Sequence, residues 1–393
     1  MMKKYFIILI LSVFLLPSCS FTNLFLTTDQ PAVETIRVAI LREADIFMIH
    51  IQGPYVLYDH GTDQILLEGS VLKESRVSVS GSGIHIAGTD LPVSALKVFA
   101  NRDASIFVNN KSFRGEIDIF KTDNSKLTVV NVVELEKYIK GVLPSEVPDR
   151  WPMETLKAQA IAARTYAFYV KQGKRHALYD LTNDIFSQVY GGHSREKYRT
   201  NLAVDWTKGL VLAYDNKFLP SYYHSTCAGH TENVRELWNQ EIGALAGQPC
   251  IFCKDSPHAS WKKNMRLKDI QDKLNEHDYR LGLIREIQVV ERNRSQRIKA
   301  LKIIARDGKE VLISGKDFRN ILGPNILKSN SYDIEMKGYY VDFFGRGWGH
   351  GVGLCQWGAR AMAQQQYRFE DILRYYYPGA KIVHYQSLER KAR

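Results

Sequence analysis

The spacing of apolar residues divides the chain into a strand-rich first part and a mixed second part. From residue 36 to about residue 130, apolar and polar positions alternate in short runs. Alternation with a period of two predicts strands that bury one face. Gly81-Ser82-Gly83 and Asn109-Asn110 separate pairs of such runs and predict hairpin turns. We therefore expect a β-rich N-terminal lobe over residues 36–130, and we find no titratable cluster in it.

The second part carries helical patterns. Pro152 suits the first position of a helix, and strong helix formers follow it as far as Lys171. Leu156, Ala160 and Ala163 fall on one stripe of this helix, so a neighbouring element can approach closely, and we expect the helix to be central. Shorter helices are predicted at residues 134–140, 198–205, 267–274, 317–322 and 354–366. Strands are predicted at residues 184–192, 209–213, 218–223, 287–290 and 298–305.

These elements predict an α+β fold, in which mixed helices and antiparallel sheets form a cleft. The length of 393 residues allows roughly two domains. We expect residues 131–385 to form the domain that carries the site. Within it, residues 264–340 are a candidate sub-lobe.

One carboxylate stands in an unusual local sequence, Leu143-Pro144-Ser145-Glu146-Val147-Pro148. Each proline fixes its own φ and disfavours helical backbone at the residue before it. The pattern therefore predicts that Glu146 lies on a stiff turn outside any helix, just ahead of the long helix. From the residues alone, a solvated loop carboxylate is the alternative.

Glycine occupies every second position from Gly345 to Gly353. In an extended strand, this spacing leaves one face bare and places Arg346, Trp348 and His350 on the other. A bare face admits another backbone or a ligand. The segment lacks the Gly-Lys-Ser/Thr ending of a phosphate-binding loop. Cys355, just beyond it, is expected to be a buried thiol.

The charge of the chain points to anionic partners. Its 53 Lys and Arg residues give a net charge of +11, and its pI is about 9.2. Anionic or carboxylate-bearing ligands are therefore plausible. The cations are scattered, with no basic block and no nucleic-acid module, so we expect no nucleic-acid partner.

The first residues predict export. Lys3-Lys4 precedes an apolar stretch over residues 6–16, which is too short to span a membrane comfortably. Leu16-Pro17-Ser18-Cys19 then resembles a bacterial lipoprotein signal. We expect residues 1–19 to be a lipoprotein-type signal peptide, with a lipid anchor at Cys19 and a tether over residues 20–35. The protein would then lie in the cell envelope, membrane-anchored on the periplasmic side; a secretory signal cut elsewhere is the alternative.

Two pairs of candidate metal ligands occur in the middle of the chain. Cys227 and His230 form one pair, and Cys250 and Cys253 form the other. Nitrogen and sulfur ligands at this spacing are typical of tetrahedral zinc. His224 competes for the fourth position, and a disulfide is the alternative in an oxidising envelope. A closed set of four protein ligands would make the metal structural.

Several of these segments together resemble the SpoIID/LytB family, named for the sporulation stage II protein D peptidoglycan lytic transglycosylase. The matching segments occur in family order and lie at residues 138–148, 151–166, 187–192, 224–232, 345–359 and 375–379. They span most of the chain from about residue 127 to residue 380. The earlier lobe is only loosely similar.

The resemblance implies an enzyme that cleaves peptidoglycan glycan strands, with Glu146 as its catalytic residue. A lytic transglycosylase cuts the β-1,4 bond after N-acetylmuramic acid (MurNAc) and leaves a 1,6-anhydro end. One carboxyl group can act first as acid and then as base if burial raises its pKa. Ordinary glycoside hydrolases need a second carboxylate at a set distance. No cofactor is required for this chemistry.

The resemblance also suggests residues that bind the glycan strand. The candidates are polar or aromatic side chains in the matching segments: Arg164, Tyr166, Ser187, Gln188, His350 and Gln356. From the residues alone, Arg164 could equally pair with a carboxylate at the edge of the core. Some relatives carry metal, which supports zinc in the cysteine region.

Two other functions stay open. LytB-like relatives are described as enhancers of an amidase, so the chain could bind glycan and stimulate a cell-wall amidase without cleaving glycan itself. A third hypothesis is a zinc hydrolase that acts on stem peptides, and this activity would need an open metal site.

Overall fold

The computed structural model describes residues 33–392, apart from residues 82, 102–103, 174–177 and 185–186. The predicted signal peptide, the anchor at Cys19 and nearly all of the tether lie outside these described residues. Within the described ranges, no helix is long and apolar enough to cross a membrane.

The first hundred described residues form strands, as the alternating pattern predicts. The strands are β1 (Thr35–Ala44), β2 (Ile46–Gln52), β3 (Tyr55–Asp59), β4 (Ile65–Gly69), β5 (Leu72–Val79), β6 (Ile84–Ile86), β7 (Thr89–Leu91), β8 (Ala95–Ala100), β9 (Ser105–Val108), β10 (Lys111–Phe113), β11 (Glu116–Lys121) and β12 (Leu127–Glu134). One sheet contains the order β1-β12-β11-β8-β3-β4, and a second has the order β10-β9-β2-β5-β6-β7. Both predicted hairpins, β5–β6 and β9–β10, are confirmed.

Helices and short strands follow the first twelve strands. They are α1 (Leu135–Glu146), α2 (Met153–Gly173), β13 (Leu181–Thr182), α3 (Tyr198–Trp206), β14 (Leu210–Tyr214), β15 (Lys217–Phe218), β16 (Tyr223–His224) and α4 (Val234–Trp238). The central helix α2 is confirmed, and its stripe from Leu156 to Ala167 is buried. The strand predicted at residues 184–192 is wrong. Residues 187–192 form neither helix nor strand, and the short strand β13 ends before them at Thr182.

The helix before Glu146 is longer than predicted. It continues past Gly141 and Pro144, and Glu146 is its last residue, so the predicted turn outside any helix is wrong. Gly141 does not end the helix but allows close packing, because a Cβ there would lie 2.5 Å from the ring of Tyr190. Leu143 is fully buried. This packing outweighs the local preference against helical backbone before Pro144.

Residues 261–345 have a hydrophobic core of their own. The sub-lobe expected at residues 264–340 stays a prediction. Their elements are β17 (Trp261–Arg266), α5 (Leu267–Asn275), β18 (Ile284–Arg292), β19 (Ile298–Ala305), β20 (Glu310–Ser314), α6 (Gly315–Leu322), β21 (Tyr332–Lys337) and β22 (Tyr340–Gly345). Two antiparallel sheets, β17-β22-β21 and β18-β19-β20, enclose this core. The buried carboxylate of Glu232 ties it to the rest of the chain by accepting from Asn293 Nδ2 at 2.6 Å and Ser295 Oγ at 2.9 Å.

The glycine-rich segment is a loop and not an extended strand, which corrects the prediction. Gly347, Gly349, Gly351 and Gly353 have φ values of 77°, 110°, 91° and 72°. This left-handed region favours glycine over residues with a Cβ. Other backbone also passes close by, since a Cβ on Gly347 would lie 2.6 Å from the carbonyl oxygen of Thr226.

The last elements close the fold around this loop. They are β23 (Leu354–Cys355), α7 (Gln356–Gln364), α8 (Phe369–Tyr376), β24 (Lys381–His384) and α9 (Tyr385–Ala392). Strand β23 runs parallel to β16, with Leu354 beside Tyr223 and Cys355 beside His224. The chain thus has an α+β fold of helices and mainly antiparallel sheets, as predicted.

Candidate active site

A cleft of about 490 Å³ lies where α1, β16, the glycine-rich loop and α6 meet. Its volume is in the range of small-ligand sites. Four of the predicted substrate-binding residues line this cleft together with Glu146: Tyr166, Ser187, His350 and Gln356. The structure therefore gathers residues that are more than two hundred positions apart in the sequence.

Glu146 is held at the end of α1 by three hydrogen-bond donors. The backbone N–H of Val189 donates to its Oε1 at 3.1 Å, and the side chains of Tyr223 and Gln356 also donate to the carboxyl. Burial raises the pKa of Glu146 above its usual value, while these three donors lower it. The net shift is upward, as expected where desolvation of the charged form dominates.

A chain of hydrogen bonds fixes the direction in which Tyr223 donates. Gln188 Nε2 donates to the carbonyl oxygen of Ala163 at 3.2 Å and to the Tyr223 hydroxyl at 3.0 Å. Tyr138 donates to the other end of the same amide, Oε1, at 3.1 Å. Since a carbonyl can only accept, the amide orientation is set, and the Tyr223 proton is directed to Glu146. Burial raises the pKa of Tyr223 well above its usual value, which keeps this proton in place.

His350 and His224 are neutral members of the wall. Burial lowers the pKa of His350 to about 3 and that of His224 well below its usual value. His350 Nδ1 accepts from the Val352 N–H at 3.1 Å, so its Nε2 carries the proton and donates to the Tyr223 carbonyl. His350 therefore positions the strand that holds Tyr223, and it is not poised as a base.

Two residues expected to bind substrate do not line the cleft. Arg164 is 0% exposed and pairs with Glu136 through bonds of 2.9 and 2.7 Å. This is the alternative that the sequence left open for it. Gln188 is also buried and acts through Tyr223, as described above.

Sequence reasoning missed Tyr223 and Val189 as partners of Glu146. The backbone amide of Val189 carries no sequence signal. Tyr223 stands directly before His224, at the edge of a segment that carries the family resemblance, and this was the available signal.

A second acid is missing from the described cleft. Among the described residues that line it, Glu146 is the one carboxylate. Glu154, which lies nearby in sequence, instead pairs with Lys157 at 2.8 Å and caps the N–H of Phe369 at 2.9 Å. This arrangement differs from the paired carboxylates of ordinary glycoside hydrolases.

Four buried cysteines converge behind the cleft. The Sγ atoms of Cys227, Cys250, Cys253 and Cys355 all lie within 4.8 Å of one another, and none of these cysteines forms a disulfide. Cys227 and Cys253 are 3.4 Å apart at sulfur. A Zn–S bond of about 2.3 Å places tetrahedral sulfurs roughly 3.8 Å apart, so this spacing fits a four-thiolate site.

The predicted fourth ligand, His230, is not in this cluster. Its Nδ1 donates to the neighbouring carbonyl of Thr231 at 2.6 Å, and Cys355 is the fourth side chain instead. The pairing of β16 with β23 brings Cys355 to the Cys227 loop, where the Cys227 N–H donates to its sulfur at 3.3 Å. Donation from the neighbouring thiols, Cys227 first, holds the pKa of Cys253 well below its usual value.

Comparison with known proteins places this chain in a family. A family model described as "Stage II sporulation protein" matches residues 123–214, and one described as a domain of unknown function matches residues 252–353. Stage II sporulation protein D of Bacillus amyloliquefaciens is 31% identical over 292 residues, which cover 70% of this chain and 80% of that protein. The chain therefore belongs to the Stage II sporulation protein D family, which confirms the resemblance seen in the sequence.

Two further relatives extend the comparison. An uncharacterized protein of Brachyspira hyodysenteriae is 29% identical over 357 residues, covering 91% of this chain and 95% of that protein. A protein of Bacillus subtilis (strain 168) named "Amidase enhancer" is 27% identical over 293 residues, covering 63% of this chain. The match spans only 40% of the amidase enhancer's own length.

Proposed function

We propose that this protein is a peptidoglycan lytic transglycosylase that cleaves the bond between MurNAc and N-acetylglucosamine (GlcNAc). The observation that carries the proposal is a single carboxyl group, Glu146, with a raised pKa in a cleft that contains no second described acid. One protonated acid suits a reaction in which the substrate supplies its own nucleophile.

In the first half of the reaction, Glu146 donates its proton to the glycosidic oxygen, and the bond from that oxygen to C1 of MurNAc breaks. In the second half, the Glu146 carboxylate takes the proton of the C6 hydroxyl, and the freed O6 bonds to C1. The products are a 1,6-anhydro end and a free GlcNAc hydroxyl, and no water is consumed. The donors Val189, Tyr223 and Gln356 stabilise the carboxylate between the two steps.

The four-cysteine cluster fits a structural metal, and we propose zinc. Cys227, Cys250, Cys253 and Cys355 would hold it as a closed set of thiolates, which leaves no position for substrate. The metal would join the loop after β16 to the start of α7. Tyr223 lies on β16 and Gln356 begins α7, so the metal would support the site without entering the reaction.

The remaining expectations belong to this proposal. The substrate would be cell-wall glycan strands, as befits a relative of sporulation proteins. A lipid anchor at Cys19 would hold the protein in the envelope, on the periplasmic side of a membrane. The test is to express a tagged form in cells, to measure its export, and to label it with a lipid precursor. The Cys19→Ser variant is the control that should lose the label.

The activity is tested by incubating the protein alone with purified sacculi and identifying the soluble products by mass spectrometry. The wild type should release anhydro-ended muropeptides, and the folded Glu146→Gln variant should release none. Full release by Glu146→Gln would remove the proposed role of this residue.

The second candidate function is that of a non-catalytic, glycan-binding enhancer of a cell-wall amidase. The similarity to the amidase enhancer of Bacillus subtilis favours it. In the same assay, an enhancer would release nothing alone but would accelerate the release of stem peptides by an added amidase. Glu146→Gln would leave that acceleration unchanged.

A further inference from the structure

Two cations in the wall of the cleft have neutral partners only. Lys316 and Arg319, both on α6, line the cavity that contains Glu146. Lys316 Nζ donates to the carbonyl oxygen of Leu237 at 2.9 Å. Arg319 uses Nε and Nη2 to hold three backbone carbonyls of residues 324–328, at 2.8 to 3.4 Å. Within the described part of the chain, neither forms an ion pair, and Arg319 Nη1 has no acceptor.

The charge of the cavity is therefore unbalanced. Its lining contains two cations and one carboxyl group, Glu146, which burial biases toward the neutral form. Burial lowers the pKa of Arg319 to about 10, so the guanidinium remains charged at neutral pH. Two unpaired positive charges in a concave, partly dehydrated wall attract an anion more strongly than the same charges in water.

Two buried acceptor atoms in the same wall also lack partners. Asn330 is 8% exposed and its Oδ1 has no donor, and His224 is 4% exposed and its Nε2 has none. Because His224 Nδ1 donates to the Val352 carbonyl at 3.0 Å, Nε2 carries the lone pair. Leaving a buried acceptor unpaired is unfavourable, because the atom has lost its hydrogen bond to water. Both residues line the cleft, so a ligand with N–H or O–H groups can satisfy them.

We propose that this wall is a carboxylate-binding subsite for an N-acylated sugar acid of the glycan strand. Lys316 and Arg319 bind the carboxylate, and Asn330 and His224 accept from N–H or O–H groups of the same ligand. The proposal rests on the proposed function, because the ligand is the glycan that reaches Glu146. The carboxylate has two sources: the lactyl group of a MurNAc without its peptide, or an attached stem peptide.

The test measures binding separately from cleavage. Full-length Glu146→Gln protein is titrated in a calorimeter with three MurNAc–GlcNAc tetrasaccharides, which carry free lactyl carboxylates, neutral lactyl methylamides or intact stem peptides. We expect at least one carboxylate-bearing saccharide to bind about tenfold more tightly than the methylamide, as one charge-assisted contact allows. Tighter binding of the free acid identifies the lactyl source, and tighter binding of the peptide form identifies the stem peptide.

A matched pair of charge variants completes the test. Lys316→Gln should remove most of this preference, whereas Lys263→Gln, which removes an exposed lysine of β17 outside the cleft, should leave it intact. Lys316 is chosen because Arg319 also supports the loop of residues 324–328. Equal binding of all three saccharides, or a preference that persists in Lys316→Gln, would overturn the subsite.

The outcome is independent of the proposed activity. Carboxylate preference without any cleavage by the wild type would contradict the transglycosylase and leave the subsite standing. Cleavage of acid and methylamide substrates with equal kcat/KM would contradict the subsite and leave the transglycosylase standing.

Discussion

Replacing Arg164 by methionine should destabilise the fold strongly and leave the chemistry of the cleft intact. The guanidinium donates to Glu136 Oε1 and Oε2 at 2.9 and 2.7 Å, to the Leu210 carbonyl at 3.0 Å and to the Val204 carbonyl at 3.3 Å. All four bonds are lost in the variant. The Glu136 carboxylate then keeps only the N–H of Gly209 as a donor in this region.

The size of the effect follows from burial. Breaking a buried ion pair by removing one partner costs about 3–5 kcal/mol. Glu136 has 19% of its side chain exposed and can recover some hydration, which places the expected loss toward the lower end. Urea denaturation followed by circular dichroism measures the free energy of unfolding, and kcat/KM is measured on the folded fraction.

A paired substitution provides the control. Arg164→Met combined with Glu136→Leu removes both charges, and it should recover much of the stability that the single variant loses. If Arg164→Met unfolds at the wild-type urea concentration but loses glycan binding, Arg164 contacts the substrate and does not serve the fold.

Three further predictions concern the cleft and the cysteines. Tyr223→Phe removes a donor to the Glu146 carboxylate, so the pKa of Glu146 rises and the alkaline limb of the pH–rate profile moves to higher pH. In the control variant Tyr166→Phe, the alkaline limb should stay at its wild-type pH. Glu146→Gln should be more stable than wild type at neutral pH, because a carboxyl whose pKa is raised by folding opposes folding once the unfolded chain ionises. Urea titration should show this gain disappearing below the unfolded carboxyl pKa, where both states are protonated. Cys355→Ser should lose zinc, whereas His230→Ala should retain it, as measured by elemental analysis of the purified protein.

Each of these predictions has a contrary result. If the alkaline limb of the pH–rate profile does not move in Tyr223→Phe, the Tyr223 hydroxyl does not act on Glu146. Equal stability of Glu146→Gln and wild type at neutral pH would mean that burial does not perturb this carboxyl. Zinc lost from His230→Ala and retained in Cys355→Ser would restore the ligand set expected from the sequence.

Periodicity predicted the elements that are determined locally. The alternation before residue 130 and the stripe on α2 reflect which side chains are buried, and the structure confirms both. The end of α1 was not predictable in this way. Proline rules place a turn before Glu146, but Gly141 packs on Tyr190 and Leu143 is buried, and both contacts come from the tertiary fold.

The glycine-rich loop and the cysteine cluster show the same limit. Alternating glycines fit both an extended strand and a chain of left-handed turns, and only the neighbouring backbone near Thr226 decides between them. The spacing of ligand pairs favoured His230. The fourth cysteine is Cys355. Parallel pairing of β16 with β23 brings it to Cys227, which lies 128 residues earlier in the chain.

Arg164 illustrates how a residue in a family motif can support the fold without lining a site. Its position late in α2 matched the family pattern, but its partner Glu136 lies 28 residues earlier, on α1. Helical spacing within α2 gives no information about this pairing. Five residues of the cleft could be predicted together because the family resemblance links their segments. They are Glu146, Tyr166, Ser187, His350 and Gln356.

The most direct measurement is the fate of water during glycan cleavage. Sacculi are digested with the wild-type protein in oxygen-18-labelled water, and the muramic acid ends are analysed by mass spectrometry. Attack by the sugar's own hydroxyl predicts anhydro ends that carry no label and lack one water relative to reducing ends. Labelled reducing ends would show that water is the nucleophile, and they would contradict single-carboxylate transglycosylation at Glu146.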